Sequence, residues 1–416
     1  MIQLFFAHWY TVFFALLWGT ALLIAAWAAR VAQFFNLRMP RVVAQPLATK
    51  FPMVAVIAPI KGVDANTQEN IAALLNQDYP HYRVIFAVES ADDPVCALIG
   101  AVQANKPSKR IELVVAGPAT ARGQKVHNQL AAVESTTSDD IFLAFMDADA
   151  HPAPNWLHAL VSMLNSHHIG ATTGYRFYVP SNAHPANAII CVLNAMVGTL
   201  LGPYRRTVAW GGSMAIRRMD FLGFGVHDAW QGALSDDYVL TWCVKKNAHT
   251  KIHFVPQCIV ASQAAFDWPK AWEFAVRQYR ITRVCAGRLW LTGLTGAALY
   301  ISALISAPIA AIVLAVMGSR WCIIPMVAFL GLYGLSIFRG WKVLQAARRL
   351  LPDHTAAINQ VGFWFTWGMP AVHGVNAMFL IGAAFGRIIT WRGIRYEMKS
   401  RTETVVLSPS NRNEGP

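Results

Sequence analysis

Four long stretches of this chain are almost free of charged side chains, and they constrain the fold more than any other feature of the sequence. Residues 1–29 and 291–317 contain no Asp, Glu, Lys or Arg, and residues 321–338 and 361–386 repeat the pattern. A helix needs about 20 apolar residues to cross a bilayer. The first two stretches satisfy that length and the third is short. A Gly-Met-Pro sequence at residues 368–370 interrupts the fourth, which predicts a kinked or re-entrant element there.

The chain is poor in charged residues, and those it has are predominantly basic. Hydrophobic residues make up 55% of the 416 residues and charged residues only 14%, compared with roughly 25% in average soluble domains. This composition indicates contact with lipid. The net charge of +13 suits an anionic leaflet and a phosphate-bearing substrate. Because the basic residues flank the apolar runs instead of forming a separate patch, we expect a membrane partner and no nucleic acid.

The basic residues also predict the orientation of the chain. The first run lacks a basic n-region and is followed at once by Arg30, so we interpret residues 1–30 as an uncleaved transmembrane anchor. Basic residues from Arg30 to Lys50 place the next segment in the cytoplasm, at a bacterial inner membrane or an equivalent one. The basic C-terminal tail favours the same side, whereas four complete spans would put it on the other. Whether residues 361–386 cross the membrane therefore stays open.

Residues 51–262 have the pattern of a globular domain between the membrane segments. Short apolar runs at residues 53–59, 83–89, 111–116 and 141–147 predict buried strands, with helical stretches between them. Alternation of strands and helices predicts an α/β, Rossmann-like domain with a mostly parallel sheet. In such sheets ligands bind beyond the carboxyl ends of the strands.

The rest of the chain divides into three parts. Residues 263–290 form an amphipathic helix with an aromatic and a basic face, which is typical of a helix lying in the membrane interface. Residues 291–390 hold the C-terminal transmembrane segments. Residues 391–416 are predicted to be a cytoplasmic or disordered tail.

Asp92 and Asp93 directly follow the second predicted strand, and Pro94 comes next. An aspartate before a proline is a common helix start, and that structural interpretation is sufficient by itself. The functional alternative is that these carboxylates contact the nucleobase or ribose of a nucleotide ligand. The residues alone favour the helix cap.

Asp147 and Asp149 end the fourth predicted strand in the sequence MDADA. Two carboxylates one residue apart at a strand end suit Mg²⁺ or Mn²⁺, which take oxygen ligands and share them with a diphosphate. A polar turn is the structural alternative. We favour the metal, because two acids directly after a buried apolar strand are costly without a cation.

The acidic pair Asp236 and Asp237 follows Ser235 at the start of a helical run. Ser235 is a potential helix cap, and acids favour the positive end of a helix. The functional alternative makes Asp237 a general base for an acceptor hydroxyl. The residues by themselves leave both possibilities equal.

Three basic residues suit a diphosphate. Arg277 and Arg280 lie three apart on one helix face, where they would bind either a diphosphate leaving group or lipid headgroups. Lys125 starts a predicted helix and would be either a phosphate ligand or a solvated side chain.

Seven motifs in their order carry a resemblance to a known family. They are KGVD (61–64), NQDYP (76–80), FAVESADDP (86–94), KVHN (125–128), GGSMAIRR (211–218), SDDYVL (235–240) and RQYRI (277–281). With these motifs, and one apolar run before and several after them, the chain resembles family-2/21-type glycosyltransferases of the GT-A fold. Within that group it is similar to the ceramide glucosyltransferases and their bacterial relatives.

The resemblance implies a role for each matching residue. Asp92 and Asp93 match the first aspartate element, which binds the donor, and Lys125 is expected to bind the donor too. Asp147 matches the leading aspartate of the metal-binding strand end. Asp149 extends this to the Asp-x-Asp of the wider superfamily. Two further sets complete the implied site: the acidic pair with the general base, Asp236 and Asp237, and the Arg-x-x-Arg element that stabilises the leaving group, Arg277 and Arg280.

The chain departs from the family at Ile281, where a tryptophan usually follows the second arginine. The implied activity is inverting transfer of a sugar, with glucose expected, from a UDP-sugar to a ceramide-like lipid hydroxyl, with Mg²⁺ or Mn²⁺ as cofactor. Because Ile281 removes an aromatic platform, the acceptor stays open. A hopanoid, a polyprenyl phosphate and a diacylglycerol are the alternatives, and a non-catalytic membrane scaffold is the alternative of another class.

Overall fold

The protein is described here by a computed structural model, which places residues 2–43, 48–105, 110–202, 206–247 and 249–409. The chain begins with one long helix, α1 (Ile2–Val43). This helix continues well past residue 30, where the sequence analysis places the end of the anchor. Its apolar window runs over Thr11–Met39.

A seven-stranded sheet forms the core of the domain that follows α1. Its strands are β1 (Val54–Pro59), β2 (Tyr82–Val88), β3 (Ile111–Val115), β4 (Phe142–Met146), β5 (Ile169–Pro180), β6 (Ser213–Arg217) and β7 (Lys251–Ala264). Their spatial order is β3-β2-β1-β4-β6-β5-β7. The first four strands are parallel, β6 is antiparallel to β4 and to β5, and β5 is parallel to β7. The expected mostly parallel α/β sheet is confirmed.

Helices cover both faces of the sheet. They are α2 (Thr67–Leu75), α3 (Pro94–Asn105), α4 (Gln124–Glu134), α5 (Trp156–Ser162), α6 (Pro185–Gly198), α7 (Arg218–Gly223), α8 (Val226–Trp230) and α9 (Asp236–Lys246). Alternate residues of β1 enter different cores: Val54 and Val56 pack in one cluster, Ala55 and Ile57 in the other. A strand buried on both faces reads as a continuous apolar run, and this is why the sequence reveals it.

Three described helices are long and apolar enough to cross a membrane. Besides α1 they are α11 (Gly287–Val316) and α12 (Ile323–Leu350), which follow the shorter amphipathic helix α10 (Trp268–Cys285). The three long helices pack together around small residues such as Ala21, Ala303 and Ala307. Trp18 Nε1 donates to Ser306 Oγ at 3.0 Å, so α1 and α11 are also joined by a polar contact.

The fourth apolar run is broken, as the sequence predicts. After α13 (Thr355–Gln360), the run forms two separate helices, α14 (Gly362–Phe365) and α15 (Met369–Gly382). With 14 residues, α15 is shorter than the roughly 20 residues that a span needs. The C-terminal end of α12 lies beside the C-terminal part of α1, where Arg349 Nη1 donates to Asn36 Oδ1 at 2.6 Å.

The C-terminal segment folds onto the sheet domain. Strands β8 (Ile388–Trp391), β9 (Ile394–Ser400) and β10 (Glu403–Pro409) form an antiparallel sheet. The disordered alternative for the tail is therefore wrong for residues 391–409, while residues 410–416 lie outside the described part. Gln124 N donates to Tyr396 Oη at 3.3 Å and Arg401 Nε to the Cys285 carbonyl at 2.7 Å. These contacts have no local sequence signal, because their partners lie more than a hundred residues away.

Helix α12 packs closely against α14 at Gly340, and this contact allows a prediction about stability. A Cβ on this residue of α12 would lie 1.5 Å from the Phe365 carbonyl oxygen. We therefore expect Gly340→Ala to push α12 away from α14 and lower the free energy of unfolding by about 1–3 kcal/mol. Thermal unfolding of the detergent-solubilised protein measures this. Gly334→Ala, on the same helix with no atom within 4 Å of its Cβ, is the control and should not lose stability. Equal midpoints for the two variants would contradict the close packing.

Candidate active site

A cavity of about 440 Å³ lies at the carboxyl ends of β1 and β4. The sheet domain forms its floor. The floor residues are those that follow β1, Asp147 and Asp149 after β4, and the Asp236–Asp237 pair at the start of α9. Helix α10 forms one wall with Arg277, and the C-terminal hairpin forms another with Arg392. The acidic residues predicted from the sequence after β4 and at the start of α9 thus line one cavity.

Lys125 joins the two acidic elements. Its Nζ lies 2.7 Å from Asp147 Oδ1 and 2.9 Å from Asp236 Oδ2, and donates to the Gly211 carbonyl at 3.3 Å. Burial lowers the pKa of this ammonium, but the two carboxylates outweigh burial and raise it above its ordinary value. Lys125 is therefore a permanent positive charge at the bottom of the cavity.

Asp236 is held rigidly by buried partners. Its Oδ2 accepts from Gln129 Nε2 at 3.0 Å as well as from Lys125, and its side chain is only 6% exposed. A Cβ on Gly211 would lie 2.3 Å from the same oxygen, so the loop before β6 can pass this carboxylate only with glycine there. Asp236 is thus a fixed, paired charge beside the cavity.

Asp237 has a different environment from its neighbour. Its Oδ1 accepts from Ser235 Oγ at 2.5 Å and from Tyr238 N at 2.6 Å, while its Oδ2 accepts only a long bond of 3.4 Å from Gly211 N. Burial and the charge of Asp236 raise the pKa of Asp237 to about 6. This carboxyl is therefore oriented through one oxygen and has the other available to accept a proton near neutral pH.

Arg176 of β5 contacts both carboxylates of the Asp-x-Asp. Its Nη2 lies 2.6 Å from Asp149 Oδ1 and 3.4 Å from Asp147 Oδ2, and its guanidinium carbon lies 5.1 Å from the centre of the Trp210 ring. Burial raises the pKa of Asp149, but the Arg176 hydrogen bond and charge outweigh it and lower that pKa. The two carboxylates thus converge on one cationic point.

The positions of Asp147 and Asp149 show whether their carboxylates could bind a divalent metal ion. Two hard carboxylates, supplemented by phosphate oxygens and water, are the usual protein share of an Mg²⁺ site. Asp147 and Asp149 fit such a half-site, since both already reach a single cationic atom. Within the described ranges no cluster of three or more metal-ligating side chains occurs, so the remaining ligands would have to come from a substrate.

Asp92 and Asp93 do not line the cavity in the described structure. Asp93 accepts from Val95 N at 3.0 Å, as a helix cap does, and both of its oxygens accept from Gly62 N at 3.0 Å. Asp92 is exposed and accepts from Ser90 Oγ. Asp93 therefore supports the Lys61–Gly62 turn, which does line the cavity.

The two arginines of α10 lie at different depths. Arg277 and Ile281 line the cavity, whereas Arg280 does not. Arg280 Nη1 donates to the Ile388 carbonyl of β8 at 2.8 Å, and Arg277 Nη1 makes a 3.5 Å bond to the Thr390 carbonyl. Both arginines thus dock the C-terminal sheet, and Arg277 alone also faces the cavity.

Sequence reasoning missed Arg176 and the hairpin residues Trp391, Arg392 and Tyr396, all of which line the cavity. Arg392 has φ +46°, the only positive φ at a non-glycine residue in the described part of the chain, and its Nη1 donates to the Lys61 carbonyl at 3.1 Å. The Arg-Gly pair at 392–393 between two apolar–polar alternating segments was the available signal for this tight turn.

The family model described as "Glycosyl transferase family 21" matches residues 16–404. "Ceramide glucosyltransferase 3" of Caenorhabditis elegans is 28% identical over 87 residues, which are 21% of this chain and 19% of that protein. The match thus spans about a fifth of that relative's length.

Two solved structures are similar at low identity. A mannosyltransferase from Pyrobaculum calidifontis in complex with GDP-Man and Mn²⁺ has a TM-score of 0.47 at 16% identity, over 88% of this chain and 97% of that one. GalNAc-T7 with UDP, GalNAc and Mn²⁺ has a TM-score of 0.42 at 11% identity, over 60% and 51% of the two chains. We base no assignment on either score.

Proposed function

Because this chain belongs to glycosyl transferase family 21, as the match over residues 16–404 shows, we propose that it transfers a hexose from a UDP-sugar to a lipid hydroxyl with inversion. Glucose is the proposed sugar and a ceramide-like lipid the proposed acceptor. The family makes the chain a glycosyltransferase; the donor and the acceptor are our proposal. The observation that carries it is Asp237, a buried carboxyl with a raised pKa beside a lysine-linked acidic cluster.

Asp237 acts as the general base in this proposal. Ser235 and Tyr238 N orient its Oδ1, and Oδ2 takes the proton from the acceptor hydroxyl as the hydroxyl oxygen attacks the anomeric carbon. Asp236 pairs with Lys125 and accepts a hydrogen bond from Gln129, and its charge contributes to the raised pKa of Asp237. The two carboxylates, which lie in different environments, thus have different roles: Asp237 accepts the proton, and Asp236 raises the pKa of Asp237.

The departing diphosphate needs positive charge that is already in place. Lys125 and Arg277 line the cavity and supply it from opposite sides. A divalent cation held by Asp147 and Asp149 would add Lewis-acid stabilisation of the leaving phosphate. Arg392, on the hairpin, brings a further guanidinium to the same space.

The lining of the cavity toward α10 supports a lipid acceptor. Tyr178, Phe266 and Phe274 line it there, and their rings pack edge-on or tilted against one another at 5.1–5.8 Å. These side chains adjoin the apolar cluster that includes residues of α12 and α15, so an apolar wall connects the acidic cavity to the helices near the membrane. A scaffold protein would not need this connection to an acidic cavity.

We also propose that the sheet domain faces the cytoplasm. Basic residues lie at the sheet-domain ends of the long helices, including Arg30, Arg38, Arg348 and Arg349, and the positive-inside rule places such ends in the cytoplasm.

A direct test is incubation of membranes containing the protein with a panel of labelled UDP- and GDP-sugars, followed by lipid extraction. We expect label from a UDP-hexose in a lipid fraction, and none in membranes carrying Asp237→Asn. Adding ceramide, hopanoid, polyprenyl phosphate and diacylglycerol separately then identifies the acceptor. Label in none of these lipids, together with no UDP-sugar binding by calorimetry, would contradict the proposal and favour a scaffold.

The pKa of Asp237 predicts the pH dependence of transfer. Since its pKa is raised to about 6, the carboxyl is protonated, and cannot act as a base, below that pH. We expect the transfer rate to rise with pH through about 6 and then level off, with donor binding measured in parallel as the control. A rate that stays constant across this range would show that the titration of Asp237 does not limit transfer.

A further inference from the structure

A second cavity of about 300 Å³ lies where α1 meets the loop after α6, and it shares no lining residue with the active-site cavity. Three arginines line it: Arg30 and Arg38 from α1, and Arg206 from the loop. Since Arg30 and Arg38 are eight residues apart, they lie on one helix face, roughly 12 Å apart along the axis. Three guanidinium groups from two separate elements thus converge on one space.

The lining is basic but not acidic. Among the described residues that line this cavity, none is Asp or Glu. Guanidinium groups prefer planar, bidentate anions, of which phosphate is the most common. The charge of this cavity therefore complements an anionic phosphate group.

Most of the other lining residues are apolar, Thr199 being polar, and the large apolar side chains form two layers. Phe35, Met39 and Leu201 are buried and form the floor. Trp27 and Phe34 are 53% and 50% exposed on the same helix face, and Arg206 lies over the Trp27 ring at 5.6 Å. An acyl chain can lie along these exposed rings while a headgroup contacts the arginines.

The cavity lies at a defined depth. Its α1 residues all fall within the last part of the apolar window Thr11–Met39, at the end nearest the sheet domain. Lipid headgroups occur at this level, and basic pockets beside membrane helices bind anionic headgroups.

We propose that this cavity is a binding site for one anionic phospholipid, whose phosphate is held by Arg30, Arg38 and Arg206 and whose acyl chain lies against Trp27 and Phe34. The lipid is distinct from the sugar acceptor, and it ties α1 to the sheet domain. The proposal does not depend on which sugar or acceptor the enzyme uses.

The test is a titration of the purified, detergent-solubilised protein with short-chain phosphatidylglycerol. Short-chain phosphatidylcholine and inorganic phosphate are titrated in parallel, and binding is read as a shift in the unfolding midpoint and as bound lipid in native mass spectrometry. We expect saturable binding of one phosphatidylglycerol and much weaker binding of the other two. Equal effects of inorganic phosphate and phosphatidylglycerol would overturn the lipid as the occupant.

Variants then locate the site. We expect Arg206→Gln and Arg30→Gln each to weaken phosphatidylglycerol binding about tenfold or more, from the loss of one charge-assisted contact. Arg206→Lys keeps the charge and should bind less tightly than the parent protein, because a lysine cannot form the bidentate contact. Each variant is first checked for an unchanged unfolding midpoint without lipid; Arg30, on the exposed face of α1, is the variant least able to disturb folding.

Arg288→Gln is the matched control. Arg288 is exposed at the start of α11, on the same side of the membrane but outside the cavity, and its loss should leave lipid binding unchanged. If Arg288→Gln weakens binding as much as Arg206→Gln does, the interaction is a general attraction between basic residues and anionic lipid, and the proposed site is wrong.

Discussion

Replacing Asp237 with asparagine is expected to remove sugar transfer almost completely while nucleotide-sugar binding stays close to normal. The amide keeps the shape of the carboxyl but cannot accept the acceptor's proton, and loss of a general base costs about 10²–10⁴-fold in rate. Ser235 and Tyr238 N both contact Oδ1, so the side chain should keep its position. Turnover on extracted lipid and donor binding by calorimetry measure the two effects separately.

Asp228→Asn is the control for this experiment. Asp228 also lies in a helix of the sheet domain, α8, but its side chain is 90% exposed and does not line the cavity. Its variant should therefore retain full transfer. If Asp237→Asn instead loses donor affinity and keeps its turnover, Asp237 is a donor-side or structural residue, and the base lies elsewhere.

Removal of divalent cations is expected to abolish transfer, and Mg²⁺ or Mn²⁺ should restore it. The reason is that the carboxylates of Asp147 and Asp149 converge on one cationic atom. Arg176 Nη2 lies 3.4 Å from Asp147 Oδ2 and 2.6 Å from Asp149 Oδ1. Two neighbouring carboxylates, here paired with Arg176 and, for Asp147, with Lys125, are suited to a cation that also binds the diphosphate. The measurement is the transfer rate in chelator, followed by titration of each metal.

Asp149→Asn sharpens the metal experiment. It removes one of the two carboxylates, so a higher metal concentration should be needed for half-maximal transfer. Asp139→Asn is the control, because Asp139 is exposed and does not line the cavity. It should leave that concentration unchanged. Full activity in excess chelator would contradict the metal assignment. Arg176 and Lys125 would then be the cations that neutralise the acidic cluster.

The sequence predicted the parts of the site that depend on local pattern. Strands β1, β2 and β4 are buried on both faces, so they read as apolar runs whose ends are visible. Their carboxyl ends meet at one edge of a parallel sheet, and this is why the sequence could place Asp147 at the edge of the sheet where the cavity lies. The acidic pair at α9 needed the resemblance, because a helix start and a catalytic base look alike in a single sequence.

The parts that sequence could not predict depend on contacts between distant residues. Arg176 lies within β5, not at a strand end, and its pairing with Asp149 spans 27 residues. The C-terminal sheet was mistaken for a tail because its strands are short and only half buried, and because basic residues occur in β9 and in the turns on either side of it. Arg280, expected to bind the leaving group, contacts the β8 backbone, a contact with no signal in the local sequence, and its role toward the leaving group stays a prediction. The roles of Asp92 and Asp93 stay predictions.

The position of the C-terminal sheet has a consequence for biosynthesis. The β8–β9 hairpin completes the wall of the cavity with Trp391, Arg392, Ile394 and Tyr396, yet the ribosome makes it after all three long apolar helices of the described chain. The nascent chain is therefore integrated into the bilayer with its cleft unfinished, and it cannot process substrate until translation has passed β9. A messenger truncated after α15 would yield an anchored, inert polypeptide that still occupies insertion machinery and membrane area. Quality control of this protein would have to recognise an open cleft, since membrane insertion by itself reports nothing about completeness.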